Sequence, residues 1–200
     1  MKDRPYHKKT FASIGIIAAF IFMMLLQETG VTRPLHAQDI PFLSFGNGPM
    51  KVRLYADYFC GPCRSLEPQL EYMMSDLVKR DMINITFVDV PFHAYSPLYV
   101  RYFLYILHER KDLKHAMFAR KVLFEAARLM ITEKEGLEAF LHTNGIRMKP
   151  FDVKPIFTIL QGYLKEDKIN STPTCVIYSG EKKEIYNGAT DIIKTLGSLR

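Results

Sequence analysis

The sequence predicts an α/β fold, in which a central mixed β-sheet is flanked by helices and interrupted by an all-helical insertion. Two segments rich in β-forming residues, 51–58 and 83–90, are joined by a stretch whose apolar residues have helical spacing. Two strands joined in this way form a parallel pair with a right-handed crossover. Residues 96–165 then have helical patterns throughout, and a β-type pattern returns only at residues 174–178.

The elements follow in a clear order. After the helix that ends near Arg80, the helical patterns cover residues 98–109, 113–130, 132–142 and about 150–164. Pro97 fits a helix N-terminus, residues 132–135 have the form of a capping box, and Asn144-Gly145 is a typical helix end. Residues 179–181 predict a turn, followed by a strand at 183–186 and a helix at 190–199.

These elements predict four regions along the chain. Residues 1–45 form a signal or anchor segment with a linker, and residues 46–91 form the first half of the sheet domain. Residues 92–167 form the helical insertion, and residues 168–200 complete the sheet domain. An insertion of that length is compatible with one compact domain because it is helical rather than structureless.

The composition excludes several classes of protein. The chain has 200 residues, of which 48% are hydrophobic, so it can bury a core. Its formal net charge is +6, but basic and acidic residues are interspersed and no basic stripe with interleaved aromatics occurs. Nucleic-acid binding therefore has little support. Three cysteines are too few for a disulfide framework.

The N-terminus predicts export. A basic segment over residues 1–10 precedes an uncharged apolar run at residues 11–26. Basic residues before an apolar stretch stay in the cytoplasm, so the rest of the chain is expected in a periplasmic or other extracytoplasmic, oxidising compartment. We expect residues 11–26 to remain as an uncleaved membrane anchor, with cleavage after Ala37 as the alternative, and residues 27–45 to form a linker.

The Cys60-Gly61-Pro62-Cys63 motif is the candidate catalytic site, because it lies between the first strand and the following helix. A thiol at a helix N-terminus meets free backbone N–H groups and the positive end of the dipole, which favour the thiolate. Thiolate attacks disulfides, so Cys60 is the predicted nucleophile and Cys63 the resolving thiol. A static disulfide or half of a zinc site is the alternative. However, the strand–helix context favours redox chemistry and no metal site is expected.

Further residues resemble those of a known family. The motif at 60–63 is identical to that of thioredoxin, Pro68 falls where the family has a proline in the active-site helix, and residues 172–174 resemble its cis-proline loop. Gly188 resembles the glycine after its β-hairpin. Residues 46–199 thus resemble the thioredoxin superfamily, and specifically its DsbA-like branch with an inserted helical domain.

The resemblance implies roles for individual residues. Pro173 would be cis and face Cys60, and the backbone near Thr172 would pair with the substrate chain. Thr172 would also help to tune the redox pair. Together with Gly61 and Pro62, these two residues would form the substrate-binding loops around Cys60.

The sequence also departs from the family. Leu54 occupies the position of a buried carboxylate, so the proton of Cys63 must pass to water, Glu67 or another group. Phe59 replaces a tryptophan, and Gly61-Pro62 replaces the Pro-His of strongly oxidising DsbA. A Gly-Pro dipeptide implies a more reducing couple, whereas the export signal favours disulfide formation.

Four further features complete the expectations. Cys175 is expected to be a small buried hydrophobe, with a regulatory thiol as the minor option. His93 is expected in a turn with a structural hydrogen bond, and Asp57 either caps its loop or influences the thiolate. Aromatic residues over 95–105 are expected in the core, with some lining a hydrophobic substrate surface beside Cys60.

The functional hypothesis is an exported thiol–disulfide oxidoreductase that exchanges disulfides with Cys-containing exported proteins. It needs no bound cofactor beyond the Cys60–Cys63 pair, and electrons pass to a partner redox protein that could be membrane-bound. The alternatives are a periplasmic thiol reductase or isomerase, for example in cytochrome maturation, and a non-catalytic factor that binds clients.

Overall fold

A computed structural model describes residues 42–199 of the chain. The predicted anchor at residues 11–26, the cleavage point after Ala37 and most of the predicted linker lie outside these residues. Within residues 42–199, no helix is both long enough and apolar enough to span a membrane.

The described residues form one five-stranded mixed sheet. Its strands are β1 (Ser44–Phe45), β2 (Met50–Ala56), β3 (Ile83–Asp89), β4 (Thr174–Ser179) and β5 (Lys182–Asn187), in the order β1-β3-β2-β4-β5. Strands β2 and β3 are parallel, as the β-α-β pattern predicts, and the other neighbouring pairs are antiparallel. The predicted α/β fold with a mixed sheet is confirmed.

Six helices accompany this sheet in the described part of the chain. They are α1 (Gly61–Lys79), α2 (Ser96–Glu109), α3 (Leu113–Arg128), α4 (Lys134–Thr143), α5 (Lys154–Asp167) and α6 (Ala189–Ser198). Helices α2 to α5 form the predicted helical region between β3 and β4. Helix α1 follows β2 directly and packs against α3 and α6, so the sheet domain and the helical insertion meet along the helix that carries the cysteine motif.

The end of the predicted linker belongs to the sheet instead. Ser44 and Phe45 form strand β1, which pairs with β3, and Leu43 and Phe45 are buried. The Ser44 and Thr86 hydroxyls hydrogen-bond to each other at 2.7 Å. Burial of two apolar side chains favours this pairing, which a loop-like composition did not predict.

Gly48 allows the turn after β1 to lie directly against β3. A Cβ atom at this position would lie 2.1 Å from the Ile83 backbone nitrogen, so a side chain cannot be accommodated without movement of the backbone. The Gly48 N–H donates to the Ile83 carbonyl oxygen at 3.2 Å. This close approach fixes β1 at the edge of the sheet.

Several helix boundaries differ from those predicted. The capping box at residues 132–135 does not form, because α4 begins at Lys134 with Glu133 at the N-cap and without a side-chain capping bond. Helix α3 ends at Arg128, and Met130 has a left-handed backbone with φ of 56°. Helix α5 begins later than predicted, next to Pro155, and extends to Asp167. The predicted end of α4 at Asn144-Gly145 is confirmed.

The core runs continuously from the sheet into the helical region. Helix α1 buries the apolar residues whose spacing predicted it, namely Leu66, Leu70, Met73, Met74 and Leu77. On the helical side, α2 and α3 bury long apolar faces, and α3 also buries the side chain of Arg120 completely. A charged side chain buried in this way requires partners, which lie next to the cysteine motif.

Candidate active site

The cysteine motif forms the start of α1. Cys60 is the N-cap residue with an extended backbone, and its carbonyl accepts the N–H of Arg64 at 3.1 Å. The Cys60 sulfur accepts the N–H of Cys63 at 3.3 Å, which is the side-chain role of an N-cap residue. Pro62 lies in the first turn, where a missing N–H costs little. The strand β2 and the helix α1 thus hold the Cys60 sulfur at a helix N-terminus.

The two cysteines differ in their environment. Both thiols are free; Cys60 has 8% of its surface exposed and Cys63 only 2%. A hydrogen bond from the Cys63 side chain outweighs burial and lowers the pKa of Cys60 to about 6. The same bond, together with burial, raises the pKa of Cys63 well above its ordinary value. The shared proton therefore stays on Cys63, and Cys60 carries the negative charge.

The loop before β4 completes the surroundings of Cys60. The Thr172–Pro173 peptide bond is cis, and the Cys60 sulfur lies 3.4 Å from the Thr172 carbonyl oxygen, to which it donates only in its protonated form. A hydrogen bond from the Thr172 side chain also contributes to lowering the pKa of Cys60. The Pro173 carbonyl accepts the N–H of Gly188 at 2.9 Å, which ties the loop to the end of the β4–β5 hairpin.

The motif is open to solvent on one side. Gly61 is half-buried and Pro62 is exposed. A Cβ atom at Gly61 would meet nothing within 4 Å. The Gly61-Pro62 turn is therefore accessible to solvent next to the buried Cys60 sulfur.

Aromatic side chains lie beside the motif. The Phe59 ring is 5.9 Å from the Tyr95 ring and 5.0 Å from the Tyr99 ring. Tyr99 is buried, as expected for the core, whereas Phe92 and Tyr95 are each 45% exposed. The exposed Tyr95 ring therefore extends an apolar surface from Phe59 towards solvent.

Leu54 and Cys175 are neighbours in the sheet. They face each other in the β2–β4 register, and both are buried. Burial raises the pKa of Cys175 to about 12, which agrees with its predicted role as a small buried hydrophobe. The sheet is therefore apolar on both strands at Leu54, where the sequence departs from the family that it resembles.

Asp57 connects the motif loop to the segment before α2. Its side chain is fully buried and accepts the N–H of Phe59 at 2.8 Å and the N–H of Phe92 at 2.8 Å. The Ser96 hydroxyl donates to it at 2.8 Å, and His93 Nδ1 lies 3.0 Å from its Oδ1. Asp57 caps its loop, and His93 makes a structural hydrogen bond, as the sequence led us to expect.

A buried charge cluster lies on the other side of α1. Arg120 Nη1 is 2.6 Å from Asp89 Oδ1, and Arg120 Nε donates to Glu67 Oε1 at 2.7 Å. The Tyr58 hydroxyl donates to Asp89 Oδ2 at 2.9 Å. The guanidinium also lies within 6 Å of four aromatic ring centres, those of Tyr58, Phe87, Phe103 and Phe124. The cluster thus links residues on both sides of the cysteine motif to α3.

Burial affects the charges in this cluster unequally. It opposes the charge on Arg120, yet Asp89 and Glu67 hold the pKa of Arg120 well above its ordinary value. Burial raises the pKa of Glu67 more than Arg120 lowers it. Glu67 Oε2 has no hydrogen-bond partner among the described residues. Glu67 follows Cys63 by one helical turn, so it remains a candidate for handling the Cys63 proton.

Sequence reasoning did not identify this cluster. The sequence did contain one indication of it. Arg120 lies on the same face of α3 as the buried residues Ala116 and Leu123, where an apolar residue is expected. In the part of the chain that the structure describes, no group of three or more His, Cys, Asp or Glu side chains is arranged to hold a metal ion.

Comparisons with known proteins identify solved structures with a similar fold. A protein from Pseudomonas syringae, provisionally described as a protein-disulfide isomerase, superimposes with a TM-score of 0.65 at 13% identity, over 80% of this chain and 98% of that one. A periplasmic thioredoxin-like protein from Salmonella enterica serovar Typhimurium gives 0.59 at 19% identity, over 82% and 91%. DsbA2 from Pseudomonas aeruginosa gives 0.55 at 15% identity, over 80% and 94%.

The chain has the fold of DsbA-like proteins. The predicted resemblance to the DsbA-like branch is therefore confirmed at the level of the fold. No protein-family model and no curated protein matches the sequence. The solved structures share at most 19% identity among those compared above, so the roles of individual residues depend on the geometry of this site.

Proposed function

We propose that this chain is an exported thiol–disulfide oxidoreductase that exchanges disulfides with Cys-containing exported proteins. The observation that carries the proposal is the Cys60 sulfur, which caps α1, accepts the Cys63 N–H and has a pKa lowered to about 6. A thiolate at neutral pH, next to the exposed Pro62 and beside a more deeply buried second thiol, is the arrangement required for exchange. Two proteins with this fold are described as a periplasmic thioredoxin-like protein and a thiol–disulfide exchange protein.

The reaction proceeds in two exchange steps. The Cys60 thiolate attacks a substrate disulfide, forms a mixed disulfide and releases one substrate thiolate. Cys63 then loses its proton and attacks the Cys60 sulfur, which releases the second substrate thiolate and leaves the Cys60–Cys63 disulfide. The substrate gains two electrons and the protein loses two; the reverse sequence oxidises a substrate dithiol.

The substrate chain would bind beside the Thr172–Pro173 bond. The Thr172 carbonyl lies next to the Cys60 sulfur, and the Gly61-Pro62 turn that follows Cys60 is accessible to solvent. Phe92 and Tyr95 supply exposed apolar surface for an unfolded client. No bound cofactor is required, because a partner redox protein restores the starting state by the same exchange.

A trapping experiment tests this function. In a Cys63→Ala variant the mixed disulfide cannot be resolved, so clients should accumulate on Cys60 and be released by a reductant. Cys175→Ala is the matched control, because it removes a buried cysteine but leaves both exchange steps intact. If Cys63→Ala accumulates no more mixed disulfide than Cys175→Ala, the proposed mechanism is wrong.

The alternative is a periplasmic thiol reductase or isomerase. The Gly61-Pro62 dipeptide favours it, since the motif has no histidine to stabilise the thiolate. A Cys60 pKa of about 6 lies between the values of about 3.5 for DsbA and about 7 for thioredoxin. The reduction potential distinguishes the two, because oxidants such as DsbA have values near about −120 mV and thioredoxin has about −270 mV.

Location requires its own test. The apolar run at residues 11–26 supports an extracytoplasmic protein held by an uncleaved anchor. We expect the full chain to sediment with membranes, to resist extraction by alkaline carbonate and to be digested by protease added outside the cytoplasmic membrane. A chain that is protected from such protease would contradict the proposed location.

A further inference from the structure

The negative charge of the Asp57 carboxylate disfavours the thiolate form of Cys60. The Asp57 carbonyl accepts the N–H of Cys60 at 3.1 Å, so the carboxylate lies within the same short loop as the sulfur. Its negative charge acts to raise the pKa of Cys60, against the hydrogen bonds from Cys63 and Thr172 that lower it. A fully buried carboxylate is weakly screened by solvent, so its charge state matters at the sulfur.

His93 is positioned to cancel this charge. Its Nδ1 atom lies 3.0 Å from Asp57 Oδ1, and its side chain is 51% exposed, so solvent reaches the ring. The His93 ring lies 6.3 Å from the Phe59 ring, which places it over the residue that precedes Cys60. The Asp57 carboxylate accepts other bonds from backbone N–H groups and the Ser96 hydroxyl, all of which are neutral.

We propose that His93 is a positioning residue for the exchange reaction: its protonated ring neutralises the buried Asp57 carboxylate and thereby favours the thiolate of Cys60. Histidine changes its charge within the physiological pH range. The reactivity of Cys60 therefore depends on the protonation of His93, a side chain outside the cysteine motif. His93 supplies from the segment before α2 a positive charge that the Gly61-Pro62 dipeptide lacks.

Within residues 42–199, the groups that most affect Cys60 lie on three segments of the chain. Cys63 faces Cys60 from α1, and Asp57 faces it from the loop after β2. Thr172 contributes a hydroxyl and a carbonyl from the loop before β4. Asp57 itself is faced by His93 and by the Ser96 hydroxyl.

The test measures how fast a neutral alkylating agent reacts with Cys60 in the reduced full-length chain as a function of pH. His93→Gln removes the charge and leaves the His93 backbone N–H, which donates to Asp57 at 3.2 Å, in place. We expect its Cys60 rate at pH 6 to fall about three- to tenfold, because a tenfold change corresponds to one pKa unit. The fall should be much smaller at pH 9, where the thiolate is formed in both proteins.

Two further variants make the result specific. His142→Gln, on an exposed position of α4, should retain the wild-type pH profile. His93→Lys keeps a cation and should restore the rate at pH 6. A His93→Gln profile that coincides with those of wild type and His142→Gln would overturn the inference.

The inference rests on the proposed function, but different results would contradict the two. If Cys60 reacts as a thiolate and traps clients without any influence of His93, the inference alone is wrong. If Cys60 in the wild-type chain has the reactivity of an ordinary thiol, the proposed function is wrong as well.

Discussion

The N–H of Cys63 donates to the sulfur of Cys60 at 3.3 Å, and this hydrogen bond has a role both in the helix and in the proposed reaction. For the helix it satisfies one of the free N–H groups of the first turn. For the reaction it stabilises the negative charge that attacks a disulfide. The same two residues that begin α1 thus set the acidity of the nucleophile.

The first prediction concerns the contribution of the Cys63 thiol to this acidity. Cys63→Ala keeps the backbone N–H but removes the side-chain hydrogen bond that lowers the pKa of Cys60 most. A hydrogen bond to a charged group contributes about 1.5–3 kcal/mol, so we expect the Cys60 pKa to rise by about one to two units. The thiolate absorbance at 240 nm, followed against pH, measures it. An unchanged midpoint would show that the Cys63 thiol does not stabilise the charge.

The second prediction concerns the pH dependence of stability in the reduced protein. Cys60 ionises near about pH 8.5 in an unfolded chain and at about 6 in the folded one. Its contribution to the free energy of unfolding is therefore fully present above about pH 8.5 and is lost as the pH falls through 6. The raised pKa of Cys63 has the opposite effect and lowers the free energy of unfolding. It does so only when the pH exceeds the pKa of this thiol in the unfolded chain.

Urea unfolding of the reduced wild type and of Cys60→Ala measures this effect. The stability difference between the two proteins should grow from pH 6 to about 8.5. Cys175→Ala is the control and should follow the pH dependence of the wild type over this range. A difference that stays constant or shrinks with pH would contradict the lowered pKa.

The third prediction concerns the buried cluster around Arg120. Arg120→Met leaves Asp89 and Glu67 buried without their cation, which costs about 3–5 kcal/mol in comparable buried pairs. Arg128→Met is the matched control on the same helix, because its pair with Glu125 is exposed and should contribute little. Denaturant unfolding compares the two variants. Equal losses of stability would show that the buried cluster does not hold the helical region to α1.

The fourth prediction concerns Cys175. Its thiol is 1% exposed and has a pKa raised to about 12, so alkylating agents should not modify it in the native protein at pH 8. Mass spectrometry after brief alkylation should find the modification on Cys60, and on Cys175 only after denaturation. Modification of Cys175 at the rate of Cys60 would instead support the regulatory role that the sequence left open.

The sequence was sufficient to predict what depends on local pattern. The β-forming residues of β2 and β3, the apolar spacing of α1 and the position of Cys60 at a helix start are all properties of short segments. The sequence did not predict that Leu43 and Phe45 join the sheet, because two residues carry no periodic pattern. The prediction failed at residues 132–135 because a sequence can match the capping-box pattern while the backbone does not adopt the N-cap geometry at Thr132.

The site was predictable only in part for the same reason. Cys60 and Cys63 are close in sequence, and the resemblance to the DsbA-like branch predicted that Thr172 and Pro173 lie beside them. The contacts between Asp57 and His93, and between Arg120 and Glu67, join residues 36 and 53 positions apart. Such pairs arise from the packing of α2 and α3 against the motif, which no local pattern encodes.

The reduction potential of the Cys60–Cys63 pair tests the central claim most directly. The full chain is equilibrated in glutathione buffers of graded ratio, quenched by alkylation and analysed by intact mass. We predict a single two-electron transition that involves Cys60 and Cys63 and lies between about −270 and −120 mV. A disulfide that stays closed below about −300 mV would mark a structural bond, and no reversible transition at all would equally contradict catalysis by exchange.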